Sequence, residues 1–368
     1  MVKYVCKIDM CSGCKACIDT CKMNAIYIKD MLDSLNAVID TEKCINCKQC
    51  YKVCPNNGTV ELKEQLSWYQ GWAQSEDERK NSSSGGFATI LAKKFVKDGG
   101  SVASCTFEQG DFVFKIAKTD KEIECFRGSK YVKSNPQGIY RKIKQLLEER
   151  ENVLFIGLPC QVAAVKKFVG AQLEDNLYTV DLICHGTPSK KLFDTYLEDY
   201  HIEISEVKNV SFREKNSFLL KIDDKPVIHY KIQDEYLTTF LLGLNYTGNC
   251  YNCKYAINTR VGDITIGDSW GSELSIEEIN KGISLILCQT EKGKALLERL
   301  PFHLESVDLK KARNNNRQLN HPTIMPKERE YFFKQIKKGK KYSYVVARLY
   351  PKAFVKRSIK RIIYMFRK

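Results

Sequence analysis

The chain has 368 residues, 43% of them hydrophobic, with a formal charge of +15 and 16 cysteines. Its length allows two or three domains. The start, Met1-Val2-Lys3-Tyr4-Val5-Cys6, has no apolar signal core, and no run of about 18 apolar residues follows. Both features speak against an exported disulfide scaffold and a membrane-spanning helix, and lead us to expect reduced thiols in a cytoplasmic protein.

In chain order, the first feature is a cysteine repeat. Cys11, Cys14, Cys17 and Cys21 form C-x2-C-x2-C-x3-C, and Cys44, Cys47, Cys50 and Cys54 repeat it with identical spacing, with Pro55 after the last. Three thiolates in so tight a loop suit three irons of a 4Fe-4S cube, and the fourth iron takes its ligand from the other half of the repeat. The expected sets are Cys11, Cys14 and Cys17 with Cys54, and Cys44, Cys47 and Cys50 with Cys21. A zinc pair is the competing reading, but zinc takes four ligands, usually from two C-x2-C pairs, and a third cysteine in each triplet would be surplus. Lys22 follows Cys21 where a proline is common. Cys6 lies outside the pattern and reads as a structural thiol. Ala25–Ile28 and Thr59–Leu62 read as short strands closing each half.

Residues 67–81 read as a polar linker. Ser82-Ser83-Ser84-Gly85-Gly86 then precedes an amphipathic helix carrying Phe87, Ile90, Leu91 and Phe95. Serines and glycines before a helix could cradle an anion, although a plain capped helix is the default. Ser101–Phe107 and Asp111–Ala117 alternate as a hairpin, and Asn135-Pro136 opens a helix. Val153–Gly157, Gln161–Val169 and Leu177–Ile183 read as strand, helix and parallel strand. Cys160 and Cys184 therefore fall at the carboxyl edge of a sheet, where open α/β folds bind ligands. Further strands are expected near Val210–Arg213, Phe218–Ile222 and Val227–Ile232, with a helix over Glu235–Leu244.

Cys250-Tyr251-Asn252-Cys253 is a C-x2-C loop that needs two more thiolates to hold a cluster. The preferred set is Cys184, Cys250 and Cys253, with Cys160 or Cys288 as the fourth. Cys160 opens a helix, where the dipole favours a thiolate, whereas Cys288 sits in an apolar strand, where an inert thiol is usual. A zinc knuckle or buried thiols are the alternatives. Thirteen Lys and Arg, with no Asp or Glu, lie between Tyr331 and Lys368, which leaves only +2 of the +15 for the rest of the chain. The basicity belongs to the tail, and no nucleic-acid partner is expected. Val345, Val346 and Leu349, then Phe354, Ile359, Ile362, Ile363 and Phe366, give this tail an apolar face. Such a face suits a peripheral helix on an anionic membrane, or docking on the protein's own body or on a partner.

With these segments aligned, the chain resembles the beta subunit family of coenzyme F-420 hydrogenases and dehydrogenases. The resemblance rests on Ser83-Ser84-Gly85-Gly86, Gly128-Ser129-Lys130-Tyr131-Val132, Gly157-Leu158-Pro159-Cys160-Gln161, Asp181-Leu182-Ile183-Cys184-His185-Gly186, and Cys250 through Gly271. It implies an iron–sulfur flavoprotein with an FAD site lined by Ser84, Gly85, Gly86, Lys130, Tyr131 and Ser134, and one cluster in the C-terminal half. Leu158 and Lys133 depart from the residues more usual in that family.

The expected fold is α+β: a dicluster ferredoxin-like domain over 1–66, the linker over 67–81, then a mixed α/β flavin-binding body in two regions, 82–175 and 176–330, and the basic tail over 331–368. The expected function is an oxidoreductase passing electrons between a ferredoxin or other redox partner protein, 4Fe-4S clusters, FAD and a small substrate or coenzyme, because a flavin joins one-electron to two-electron chemistry. The alternatives are an electron-transfer subunit serving a separate catalytic protein, or a metal-stabilised binding protein.

Overall fold

The computed structural model describes residues 3–229, 232–352 and 355. Strand β1 (Lys3–Tyr4), β2 (Ile26–Asp30) and β3 (Leu35–Ile39) form a small antiparallel sheet in the order β1-β3-β2. Two five-residue helices, Ala16–Thr20 and Gln49–Val53, each carry the third cysteine of a C-x2-C-x2-C triplet, Cys17 and Cys50. The repeat is visible in the backbone. Lys15 and Lys48 both enter their helices at φ 59°, in the left-handed region. Gly13 and Asn46, at matching places in the two copies, have φ 71° and 55°, and each donates its N–H to a cysteine sulfur, Cys11 and Cys44, at 3.4 Å.

The body is built on one eight-stranded sheet. Its strands are β4 (Ser67–Ala73), β5 (Ser101–Glu108), β6 (Asp111–Ala117), β7 (Val153–Gly157), β8 (Leu177–Leu182), β12 (Ile264–Asp268), β13 (Ser284–Cys288) and β14 (Phe302–Glu305). A separate hairpin-like sheet holds β9 (Val210–Glu214), β10 (Ser217–Ile222) and β11 (Lys225–Pro226). The large sheet runs β14-β4-β13-β12-β8-β7-β5-β6. Its centre, β12-β8-β7-β5, is parallel, and both flanks are antiparallel. Val153–Gly157 is buried throughout, as expected of a strand covered on both faces.

Several expectations change. The span 67–81 is no linker. It contains β4, paired on both sides within the main sheet, and the helix Glu76–Lys80. Gly71 is required there because a Cβ would meet the His303 carbonyl oxygen at 2.1 Å. Residue 176 marks no break, since β7 and β8 pair on either side of it. Thr59–Leu62 forms no strand; Lys63 instead bridges to Arg260. The helix after Pro136 starts only at Ile139, behind Gly138 at φ 87°. The expected strand at Val227–Ile232 is not found among the described residues: β11 ends before it at Pro226, His229 and Ile232 form an isolated bridge, and residues 230 and 231 lie outside those described.

The tail divides. Helix Arg329–Lys337 and helix Tyr342–Leu349 bury Phe332, Phe333, Ile336, Tyr342, Val345 and Val346 in a core shared with Leu192, Phe193, Tyr196 and Tyr236 of the body. Those residues dock on the protein itself and are not free for a lipid surface. Phe354, Ile359, Ile362, Ile363 and Phe366 lie outside the described residues. Among the described residues no helix is long and apolar enough to cross a membrane.

Candidate redox site

The N-terminal thiols gather into two sets. Burial raises Cys50, which has the Cys21, Cys47 and Cys44 thiols as its charged neighbours. Burial raises Cys14 and Cys17 more strongly, with Cys11 and Cys54 acting on both. Cys21 thus stands near the second triplet and Cys54 near the first, and Cys50 also acts on Cys17. The two sets differ in exposure: Cys11, Cys14, Cys17 and Cys54 are buried, whereas Cys47 is exposed and Cys21, Cys44 and Cys50 are half-buried. Cys6, which spacing sets aside, hydrogen-bonds with the thiols of the inner pair Cys11 and Cys54. Only the tertiary fold carries that signal.

The body holds a third set. Cys184 follows β8, and Cys160 lies in the first turn of helix Pro159–Val169, which starts two residues earlier than the sequence predicts. Burial, with Cys250 and Cys253 beside it, pushes Cys184 up to about 12. Burial raises Cys160 too, and Cys253, Cys184 and Cys250 add to the effect while Lys133 opposes it. Cys288 stands apart: it is inside β13, and its thiol neighbours are Ser67, Glu298 and Lys294. Between the choices for a fourth thiol, the geometry brings Cys160 to the set and leaves Cys288 out. The Thr187 N–H donates to Cys250 Sγ at 3.4 Å. Among the described residues no three His, Cys, Asp or Glu side chains converge on a point that one metal ion could fill.

The four body thiols line a hollow of about 40 Å3 that also touches Met10, Ser12 and Asn56 of the N-terminal region. Lys133 closes its wall, donating to the Ser12 carbonyl at 3.1 Å and Asn249 Oδ1 at 3.4 Å. Tyr255 Oη donates to the Pro55 carbonyl at 3.1 Å. The Ser12 hydroxyl is buried without a hydrogen-bond partner in this wall. Beneath the hollow, Arg260 Nη2 meets Asp181 Oδ1 at 2.8 Å, both side chains fully buried.

A much larger cavity, about 450 Å3, opens at the carboxyl ends of β7, β8 and β12 and shares Leu158, Cys184, His185, Gly186 and Thr187 with the thiol hollow. Its volume is that of a cofactor or small-ligand site, roughly 300–1,000 Å3. Ser84, Gly86, Lys130, Tyr131 and Ser134 all line it. Gly85 does not. It is wedged against the sheet, where a Cβ would meet the Gly71 carbonyl oxygen at 2.3 Å. The serines before the helix also act differently from caps: Ser84 Oγ donates to the Ile283 carbonyl at 2.9 Å and Ser83 Oγ accepts from the Ser129 N–H at 3.1 Å. Gly86, at φ 93°, is the N-cap, and no side chain caps the helix Phe87–Lys97. Phe87, Ala88 and Thr89 line the cavity, so the positive end of the helix dipole faces it.

The cavity has the donors an anionic, aromatic ligand needs. Lys130 is half-buried, desolvation lowers its pKa, and two of its three donors go to the Phe126 and Arg127 carbonyls at 2.8 Å each. Arg127 lines the same wall with Nη1 buried and unpartnered. Tyr131 stacks on Phe240 at 4.4 Å, and Phe218 and Trp270 complete an aromatic side. Arg213 grips Asp268 through Nη1 and Nη2 at 2.6 and 3.0 Å, and burial lowers the pKa of His185, favouring its neutral form. Arg127, Arg213, Phe218 and Phe240 carried no motif of their own, whereas His185, Asp268 and Trp270 sit in quoted motifs without an assigned part.

Residues 10–58 match the family model of the 4Fe-4S dicluster domain, and residues 150–308 match that of the C terminus of the coenzyme F420 hydrogenase/dehydrogenase beta subunit; the chain is an iron–sulfur electron-transfer protein related to that subunit. It is 22% identical over 353 residues to an uncharacterized protein of Methanocaldococcus jannaschii, a match covering 82% of this chain and 91% of that protein. A stretch of 62 residues, 17% of this chain, is 40% identical to 21% of the B component of the ion-translocating oxidoreductase complex of Methanosarcina acetivorans. A chain of the F420-reducing [NiFe] hydrogenase complex from Methanosarcina barkeri superposes with a TM-score of 0.49 and 18% identity, covering 71% of this chain and 94% of that one.

Proposed function

We propose that the protein is an iron–sulfur flavoprotein that joins a one-electron carrier protein to a two-electron reaction in the large cavity. The observation that carries this reading is the order of the sites. The half-exposed set Cys21, Cys44, Cys47 and Cys50 leads to the buried set Cys11, Cys14, Cys17 and Cys54, then to Cys160, Cys184, Cys250 and Cys253, whose hollow shares a wall with the cavity. A carrier docking outside and a substrate bound inside require that order.

Each thiol set fits a 4Fe-4S cluster, which is larger than a single ion and is held by thiolates at its corners. Backbone N–H groups of Gly13, Ala25, Asn46 and Thr187 already point at cysteine sulfurs, as suits thiolates carrying charge. In the cavity, the residues fit FAD: Lys130, Arg127 Nη1 and the Phe87–Thr89 amides suit its phosphates, and Tyr131, Phe218 and Trp270 suit its ring. When bound, the flavin supplies the exchange between single electrons and hydride equivalents. Arg213 and Asp268 hold each other in place beside it, and His185 offers a neutral imidazole able to give or take a proton. Anaerobic protein assayed for iron, labile sulfide and released flavin tests the reading. The second reading, a subunit that feeds a separate catalytic protein, is favoured by the complex component matched by the dicluster segment. Turnover of a small hydride acceptor by the isolated protein separates the two.

A further inference from the structure

The outer thiol set meets solvent on a face of unusual composition. Cys47 is exposed, and around it Ile45 is 64% exposed, Tyr51 58% and Met23 45%. Apolar side chains so exposed and so close together normally serve an interface. Lys43, Lys48 and Lys52 lie in the same segment and Lys22 beside Cys21, all of them exposed. Between residues 40 and 54 only Asp40 and Glu42 oppose these lysines, and Asp40 is taken up by Lys43 at 3.2 Å. The basic rim continues along the chain leaving Cys54, where Lys167 Nζ donates to the Asn57 carbonyl at 2.5 Å and Lys254 Nζ to the Gly58 carbonyl at 2.9 Å. Both lysines therefore face the same short segment, Asn57–Gly58. The chain ahead of the basic tail carries only +2 in total, so this patch is a local concentration and not a sample of a basic surface.

We propose that this face docks an acidic one-electron carrier protein, with Ile45 and Tyr51 as the apolar centre and the lysines as the rim. The inference rests on the function proposed above and names the partner's chemistry and the place it binds. An apolar centre within a charged rim is the ordinary anatomy of a transient interface, and charge of one sign around it steers a partner of the other. One electron passes per encounter: the carrier is oxidised by one electron, the protein is reduced by one, and no proton or group moves. Lys22, Lys43, Lys48 and Lys52 act through docking alone, since none is a member of a thiol set or lines the hollow or the cavity; Lys254 does line the hollow.

The test is stopped-flow reduction of the full-length anaerobic protein by a reduced acidic 2Fe-2S ferredoxin, compared with reduced methyl viologen, a small cation that needs no docking face. The variants are Lys22→Glu/Lys43→Glu/Lys52→Glu and the milder Lys22→Gln/Lys43→Gln/Lys52→Gln, each checked for parental iron content. The ferredoxin rate of the parent should fall steeply with salt. The Glu variant should lose roughly tenfold or more of it together with that salt dependence, the Gln variant should lie between, and the viologen rates should stay within about twofold. Parental ferredoxin rates in both variants, or a parent rate indifferent to salt, would overturn the proposal. If viologen itself fails to reduce the parent, the electron-transfer reading falls first and takes this surface with it.

Discussion

Arg260→Met removes the cation that ties the third thiol set to the sheet. Arg260 makes five hydrogen bonds: to Asp181 Oδ1 at 3.2 and 2.8 Å, to the Tyr255 carbonyl at 2.7 Å, to the Leu182 carbonyl at 3.0 Å and to Thr265 Oγ1 at 3.3 Å. Tyr255 follows Cys253 by two residues and Leu182 precedes Cys184 by two, so one guanidinium holds both cysteine segments. Its loss leaves Asp181 buried, charged and without its guanidinium partner, which costs about 3–5 kcal/mol. Asp181 Oδ2 would still accept the Gly262 N–H at 2.9 Å, a hydrogen bond that does not replace a counter-charge. Arg260→Met should therefore lower the thermal midpoint by several degrees. Native-state hydrogen exchange should show early opening of residues 250–262. Anaerobically isolated protein should also lose about four irons, one cubane's worth, while keeping the N-terminal eight. Adding Asp181→Asn should return part of the stability, because the stranded charge is then gone. Stability within about 1 kcal/mol of the parent, with full iron, would refute the reasoning.

Cys160→Ser should cost about four irons and Cys288→Ser none, measured on full-length protein, since only the former thiol joins the set. Cys17→Ser should damage one N-terminal cluster and spare the other, as read by the electron paramagnetic resonance of the reduced protein. Burial raises Asp234 to about 6, so the folded protein takes up a proton here that the unfolded chain takes only near the ordinary carboxylate value of 3.8. This group therefore adds stability as pH falls from 7 towards 4 and loses it as pH rises through 6; Asp234→Asn should change its stability difference from the parent by about 1–3 kcal/mol over that range, read from urea midpoints. A chain ending at Lys352 should keep the parental fold and fail to pellet with anionic vesicles, whereas the full chain pellets and is released by salt. Equal behaviour of the two would remove any membrane role for the residues beyond.

The cysteine repeat was legible because a cluster loop is a local device: ligand spacing and backbone conformation lie within a few residues, as the matching φ angles of Lys15 and Lys48 show. The hairpin β5–β6 and the parallel pair β7–β8 were legible for the same reason, through alternation and a continuous apolar run. β4 was not. Its Ser-Trp-Tyr-Gln-Gly-Trp-Ala sequence carries three aromatic residues suited to a strand, but the polar run 74–81 behind it and a mid-strand glycine hid that signal, and the glycine answers to His303, which lies far along the chain. Sequence favoured Cys160 over Cys288, through its helix start and strand edge, but the neighbours of each thiol follow from the strand order, which no local pattern carries. The glycine pair was half legible: Gly86 borders the cavity, but Gly85 is needed for packing against β4. Any side chain at Gly86 would be strained at φ 93°, whatever the cavity binds. The tail's apolar face reads the same for a membrane and for a core, and the buried Val345 and Val346 settle its first part in favour of the core. A fragment 78–330 lacks β4, and a chain ending at Glu330 lacks the core residues Phe332, Phe333 and Tyr342.

The most direct test of the account is quantitative cofactor analysis of the full-length protein purified without oxygen. Three cubanes and one flavin predict about twelve irons, as many labile sulfides and one FAD per chain, with a broad visible absorption that dithionite bleaches. Stoichiometric zinc without sulfide, or a chain that neither retains nor rebinds flavin, would contradict it.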